Sequence, residues 1–177
     1  MSAESSRQSV PETLDAWRQV TARRGLEGRV PLASLERLAD LLNQPEGEVA
    51  FSMDFDRDSL GVAYVALVVT AELPLLCQRT LERFFLPVRI EQRMGLIRHE
   101  AEEAALPPGY EPLLVEDSGE LRTLDLVEDE LILAVPVVPV MPGTEVVDRE
   151  WGSPAAAAET ERPNPFAALA SLKKRQD

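Results

Sequence analysis

Cysteine and histidine are almost missing: the 177 residues contain one of each, Cys77 and His99. A single thiol forms no intrachain disulfide, and one thiol with one imidazole falls short of the four ligands a structural zinc takes. No apolar run approaches the ~20 residues that cross a bilayer. The start, MSAESSRQSVPET, lacks a basic stretch followed by an apolar one, so neither a membrane span nor a secretory signal is expected and the expected location is the cytoplasm. A glycine-rich phosphate loop, a serine elbow and a histidine-centred triad are absent too. A cysteine without a nearby histidine reads as a packing residue. The sequence therefore predicts neither an enzyme nor a metal or cofactor protein.

Positive charge is scarce in the second half. Residues 1–100 hold 12 basic and 15 acidic side chains, residues 101–177 hold 6 and 16, and the formal charge is −13. Such a field repels a polyphosphate unless a local basic face overcomes it, so any RNA contact must be local. What is present is globular: 45% hydrophobic and 28% charged residues, in a length that suits one domain with tails.

Helical spacing appears at Asp15 to Arg24 and at Ser34 to Asn43, where Leu35, Leu38, Leu41 and Leu42 recur behind a capping Ser34. Strand periodicity follows. Val49, Phe51, Met53 and Phe55 alternate with Ala50, Ser52, Asp54 and Asp56; after the turn residues DRDSLG, VAYVALVVTAEL is apolar on both parities and predicts a central strand covered on both sides. A third strand, TLERFFLPVRI, carries Pro87, which removes a ladder donor and predicts an edge. Arg98 to Leu106 predicts a helix, Leu113 to Glu116 a brief strand, and 125–135 a helix buried all round beyond Glu130, stopped by Pro136 and Pro139. The expected architecture is α+β, a mainly antiparallel sheet covered by helices. Its expected parts are a core at 1–140, a mobile acidic linker at 141–163, and a C-terminal helix at 164–177 that opens on Asn164 and Pro165 and carries Phe166 on its apolar stripe.

Two constellations invite a functional reading. On the third strand Arg79, Arg83, Arg89 and Arg93 share parity with Phe85, which sets four cations and an aromatic ring on the face away from the predicted core, where phosphates and a base could be met. A solvated edge strand would look the same. In LDLVEDELILAVPVVPV, Asp125 and Glu128 have the spacing of a capping box. Glu128, Asp129 and Glu130 turn by about 100° each around a helix, so they do not converge on one ion.

Several stretches together resemble the YceD family of large ribosomal RNA subunit accumulation proteins: LPPGYEPLLVEDSGEL, LVEDELILAVPVVPV, CQRT after an apolar strand, and the closing NPFAALASLKKR. The resemblance runs with gaps from about Pro11 onward. It implies a bacterial ribosome-biogenesis factor that supports 23S ribosomal RNA accumulation, with no known catalytic residue. It also marks Glu128, Asp129, Glu130, Pro136, Pro139, Asn164, Pro165 and Phe166 as motif or partner-binding positions. Where relatives commonly carry C-x-x-C, this chain has Cys77 and Thr80, so a metal role suggested for them does not transfer. Expected partners are ribosomal RNA, or a ribosomal or RNA-processing protein bound by an acidic adaptor; DNA and membranes are not expected.

Overall fold

Residues 63–97 build a long hairpin because they join two runs rich in β-branched and large apolar side chains through a polar turn. The computed structural model describes residues 10–144. In chain order the elements are β1 (Thr13–Asp15), α1 (Ala16–Ala22), β2 (Gly25–Pro31), a 3₁₀ turn (Leu32–Ser34), α2 (Glu36–Ala39), β3 (Glu48–Arg57), β4 (Ala63–Leu76), β5 (Arg83–Ile97), a second 3₁₀ segment (Glu100–Ala105), β6 (Glu111–Leu114), β7 (Glu120–Arg122) and α3 (Thr123–Ala134). Five strands form one sheet in the order β2-β3-β4-β5-β6, and β1 pairs with β7 in a separate ribbon. All pairs are antiparallel except β5 with β6. That parallel pair needs a crossover, and residues 98–110 supply it. The fold is α+β, as expected.

One parity faces the core. Val49, Phe51, Met53 and Phe55 on β3 bury beside Val65, Leu67, Val69, Leu73 and Leu75 on β4, and Leu38, Leu126, Val127 and Leu131 from the helices join the same cluster. Helix α1 packs on β3 and β4, and α2 packs on α3. Asp15 caps α1, its Oδ1 accepting the Arg18 N–H at 2.9 Å.

Five expectations are corrected. The helix over Ser34 to Asn43 is a 3₁₀ turn followed by the four residues of α2; leucines at spacing three also suit three residues per turn, and the Ser34 hydroxyl donates to the Pro31 carbonyl instead of capping. Strand β2 was not foreseen. The central strand is covered on one face only, since Tyr64, Ala66 and Val68 are half-buried and Thr70 is exposed. Strand β5 is an edge at Pro87 but not throughout: β6 pairs with Met94–Ile97, which leaves the rest of that side of β5 unpaired among the described residues. Beyond Glu130 the chain is not buried all round, because Leu133 is 79% and Val137 100% exposed.

Residues Met141 to Thr144, foreseen as the start of a linker, are fastened to the β4–β5 turn. The Gln78 N–H donates to the Pro139 carbonyl at 2.8 Å, Arg79 donates to the Thr144 carbonyl, and the Met141 N–H donates to the Cys77 Sγ at 3.4 Å. The remainder of the expected linker and the whole C-terminal helix, with Asn164, Pro165 and Phe166, lie outside the described residues.

Candidate functional site: the open face of the sheet

The outer parity of the sheet is covered at its Gly95 and Arg93 end by Leu106 and Tyr110 of the crossover and exposed at Arg29, Glu48, Thr70, Glu72 and Arg89, and the strand register arranges its side chains in rows. Arg29 lies opposite Ala50, Ala50 opposite Thr70, and Thr70 opposite Arg89. The next row runs Glu27, Ser52, Val68, Glu91, and the one after it joins Asp54, Ala66 and Arg93. Glu48 and Glu72, two residues on from Ala50 and Thr70, flank the arginine row on its other side. This follows from the pleat, which sends alternate residues to one face.

Three of the four foreseen arginines share that face, with Phe85 among them: Arg83, Arg89 and Arg93 alternate along β5. Arg79 does not, because β5 begins only at Arg83. The turn over residues 77–82 is closed by the Cys77 N–H to the Glu82 carbonyl at 2.9 Å, and it carries Arg79 toward Thr144.

The three on the strand are already engaged. Arg83 donates to the Gln44 carbonyl at 3.0 Å and pairs with Glu46 at 3.2 Å, while its guanidinium lies 5.0 Å from the Phe85 ring centre. Arg89 pairs with Glu91 at 2.5 Å. Arg93 stands 4.8 Å from the Tyr64 ring and 5.7 Å from the Tyr110 ring, a cation–π arrangement. The Tyr110 hydroxyl in turn donates to Asp58 Oδ2 at 2.8 Å. That hydrogen bond, then the Val62 and Leu60 N–H groups, hold the Asp58 carboxyl below its ordinary range, and burial raises the Tyr110 phenol.

The acidic motif is a different kind of feature. Helix α3 begins at Thr123, two residues before the foreseen capping box, and its cap position is Arg122 with no side-chain cap bond. Asp125 pairs with Arg122 at 3.4 Å. Glu128 is 6% exposed and reaches across to α2. Its Oε1 accepts the Leu38 N–H at 3.0 Å, and its Oε2 accepts Arg37 Nε at 2.9 Å. The side chain of Leu35, the cap residue of α2, has no acceptor to offer, so Glu128 supplies from another helix the acceptor that a serine or aspartate would supply locally. Asp129 takes the other fork of Arg37 at 2.6 Å, and these two carboxylates raise the guanidinium's affinity for its proton, Asp129 the more. Glu130 stands apart. Burial, then repulsion from Glu111, pushes its carboxyl above the usual range. Glu128 and Asp129 share Arg37 and clamp α2, while Glu130 turns away from them, so the three acids do not form one site.

Pro136 is exposed, and Pro139 holds the β4–β5 turn through its carbonyl. Cys77 is buried, and its Sγ accepts N–H groups from Met141 at 3.4 Å and Thr80 at 3.5 Å, which lowers the thiol to about 6. Sequence reasoning did not single out Arg37, Arg29, Tyr64 or Tyr110. The parity of Tyr64 on β4 was a usable signal; Arg29 lay in the strand that was not foreseen, and nothing local marked the other two.

Fold and surface together define a small α+β protein whose distinctive feature is a charge-striped outer sheet face. Comparison with known proteins narrows this. The family described as "Large ribosomal RNA subunit accumulation protein YceD" matches residues 65–173, and the chain belongs to that family. A protein of Haemophilus influenzae with that same name is 30% identical over 169 residues, which cover 94% of this chain and 97% of the relative. No solved structure matches the chain significantly.

Proposed function

We propose that this protein is a noncatalytic cytoplasmic factor that supports the synthesis, processing or accumulation of large-subunit ribosomal RNA. Family membership over most of the core carries this reading, together with the name of the relative that matches nearly end to end. Deleting the gene should lower large-subunit rRNA relative to small-subunit rRNA, and the intact chain supplied in trans should restore it. An unchanged ratio would refute the reading.

One observation favours the adaptor route over direct contact with RNA. Residues 10–144 hold 12 arginines and no lysine against 24 acidic side chains, and the β5 arginines with a foreseen role in phosphate contact already have acidic or aromatic partners. A phosphate backbone would have to displace those partners while approaching a negatively charged body. A basic protein client meets no such opposition.

A further inference from the structure

The outer face of the sheet carries more negative than positive charge once its internal pairs are set aside. Arg83, Arg89 and Arg93 are held by Glu46, by Glu91 and by the two tyrosines. Among the described residues, the charged groups of that face with neither an ion pair nor an aromatic partner are Glu27, Glu48, Asp54 and Glu72, with Arg29 as the one cation among them; Arg93 has its two rings but no carboxylate. The first five are exposed. Glu48 and Glu72, with Glu46, edge a cleft of about 400 Å³ that is also lined by Ala50, Thr70, Phe85 and the single cation Arg29. The Phe85 side chain is 51% exposed there. Phe85 already has the Arg83 guanidinium over its ring and Glu46 is paired with that arginine, which leaves Glu48 and Glu72 against Arg29; the two unpaired carboxylates outnumber the one cation and favour an added guanidinium or ammonium group.

We propose that this open sheet face docks a cationic polypeptide segment, rich in arginine or lysine, with one of its side chains seated in the cleft between Glu48 and Glu72. Charge complementarity selects the occupant. A nucleic acid presented to the same surface would meet four unpaired carboxylates against Arg29 and the ring-held Arg93, and it is opposed for the reason that a basic segment is attracted. The proposal rests on the ribosome-biogenesis reading for its cellular setting and names the chemistry of the client.

The test uses the full-length chain in fluorescence anisotropy, with a labelled arginine-rich peptide, the same peptide with glutamine in place of arginine, and a labelled single-stranded RNA. The arginine peptide should bind, more weakly as salt rises, and the glutamine peptide should not. The double variant E48Q/E72Q should weaken peptide binding by about threefold or more, the scale of two exposed ion pairs. The variant E100Q/E103Q, which removes the same charge from the 3₁₀ segment Glu100–Ala105, should leave it unchanged. R89Q, which frees Glu91, should leave binding equal or tighter. Absence of peptide binding at low salt, equal weakening by the two double variants, or tight RNA binding that R89Q weakens would each overturn the proposal. The gene-deletion experiment fails or succeeds independently. A fall in large-subunit rRNA without peptide binding sinks only the docking proposal, and peptide binding with normal rRNA sinks only the cellular role.

Discussion

Replacing Glu128 with alanine removes a helix cap, an ion pair and part of a packed side chain in a single step. The carboxylate is buried, and its acceptance of the Leu38 N–H is the only side-chain cap that α2 has among the described residues. Losing a cap of this kind costs about 1 kcal/mol, within a range of roughly 0.5–2. Deleting the one side-chain methylene that alanine lacks adds about 0.8 kcal/mol. The ion pair with Arg37 adds less than a buried pair would, because that guanidinium is half-exposed and water takes the vacated fork. The expected loss for E128A is therefore about 2–3 kcal/mol, a large share of the roughly 5–15 kcal/mol that holds a domain together. E128Q keeps the volume and an acceptor for Leu38, and should lose about 1 kcal/mol. Urea unfolding followed by circular dichroism measures both, with an unchanged denaturant slope as the check that the midpoint shift is a stability change. A cycle combining R37A with E128A should show coupling clearly different from zero. If E128A falls within about 0.5 kcal/mol of the parent, the size of an ordinary surface change, or if E128Q and E128A are equal, the cross-helix cap is not what holds α2.

Three further outcomes follow from the structure. The Cys77 thiol lies below its ordinary value of 9.0, at about 6, chiefly because the Met141 N–H donates to it. A depressed folded value contributes stability that is fully present above the unfolded value and lost as pH falls through the folded one; stability should therefore rise between about 6 and 9, and C77A should flatten that rise. A thiolate absorbance that titrates near the ordinary value would contradict this. Y110F removes the main cause of the depressed Asp58 carboxyl, so Asp58 should titrate at higher pH in that variant when followed by NMR, with the Leu60 and Val62 N–H groups retaining part of the shift. Gly119 has φ of +74°, and a Cβ there would collide with the Asp15 carboxylate that caps α1. G119A should cost about 1–3 kcal/mol in thermal unfolding, and a variant as stable as the parent would rule out both the strain and the collision.

Much of the sheet was legible beforehand because strand periodicity is local. Alternation at 49–56 and 83–93 correctly assigned Phe51, Met53, Phe84 and Leu86 to one face and Arg83, Phe85, Arg89 and Arg93 to the other. Arg79 was misassigned because parity holds only while a strand continues, and the turn over residues 77–82 interrupts it. Strand β2 went unseen although Glu27 and Arg29 alternate with Leu26, Gly28 and Val30; glycine at an inward position masks the apolar beat. The acidic motif was read as the start of its own helix, since local spacing offers no hint of a partner ninety residues away.

By itself the sequence determined the alternation of faces along β3 and β5, the acidic balance of the chain and its kinship with an rRNA-accumulation family. Tertiary structure alone decided that Arg83, Arg89 and Arg93 are already occupied, that Glu128 caps a helix it does not belong to, and that the free charge of the open face is negative. The reason is physical. Periodicity acts within a few residues, whereas the pairing of charges depends on cross-strand register and helix packing, which bring together groups that are far apart along the chain.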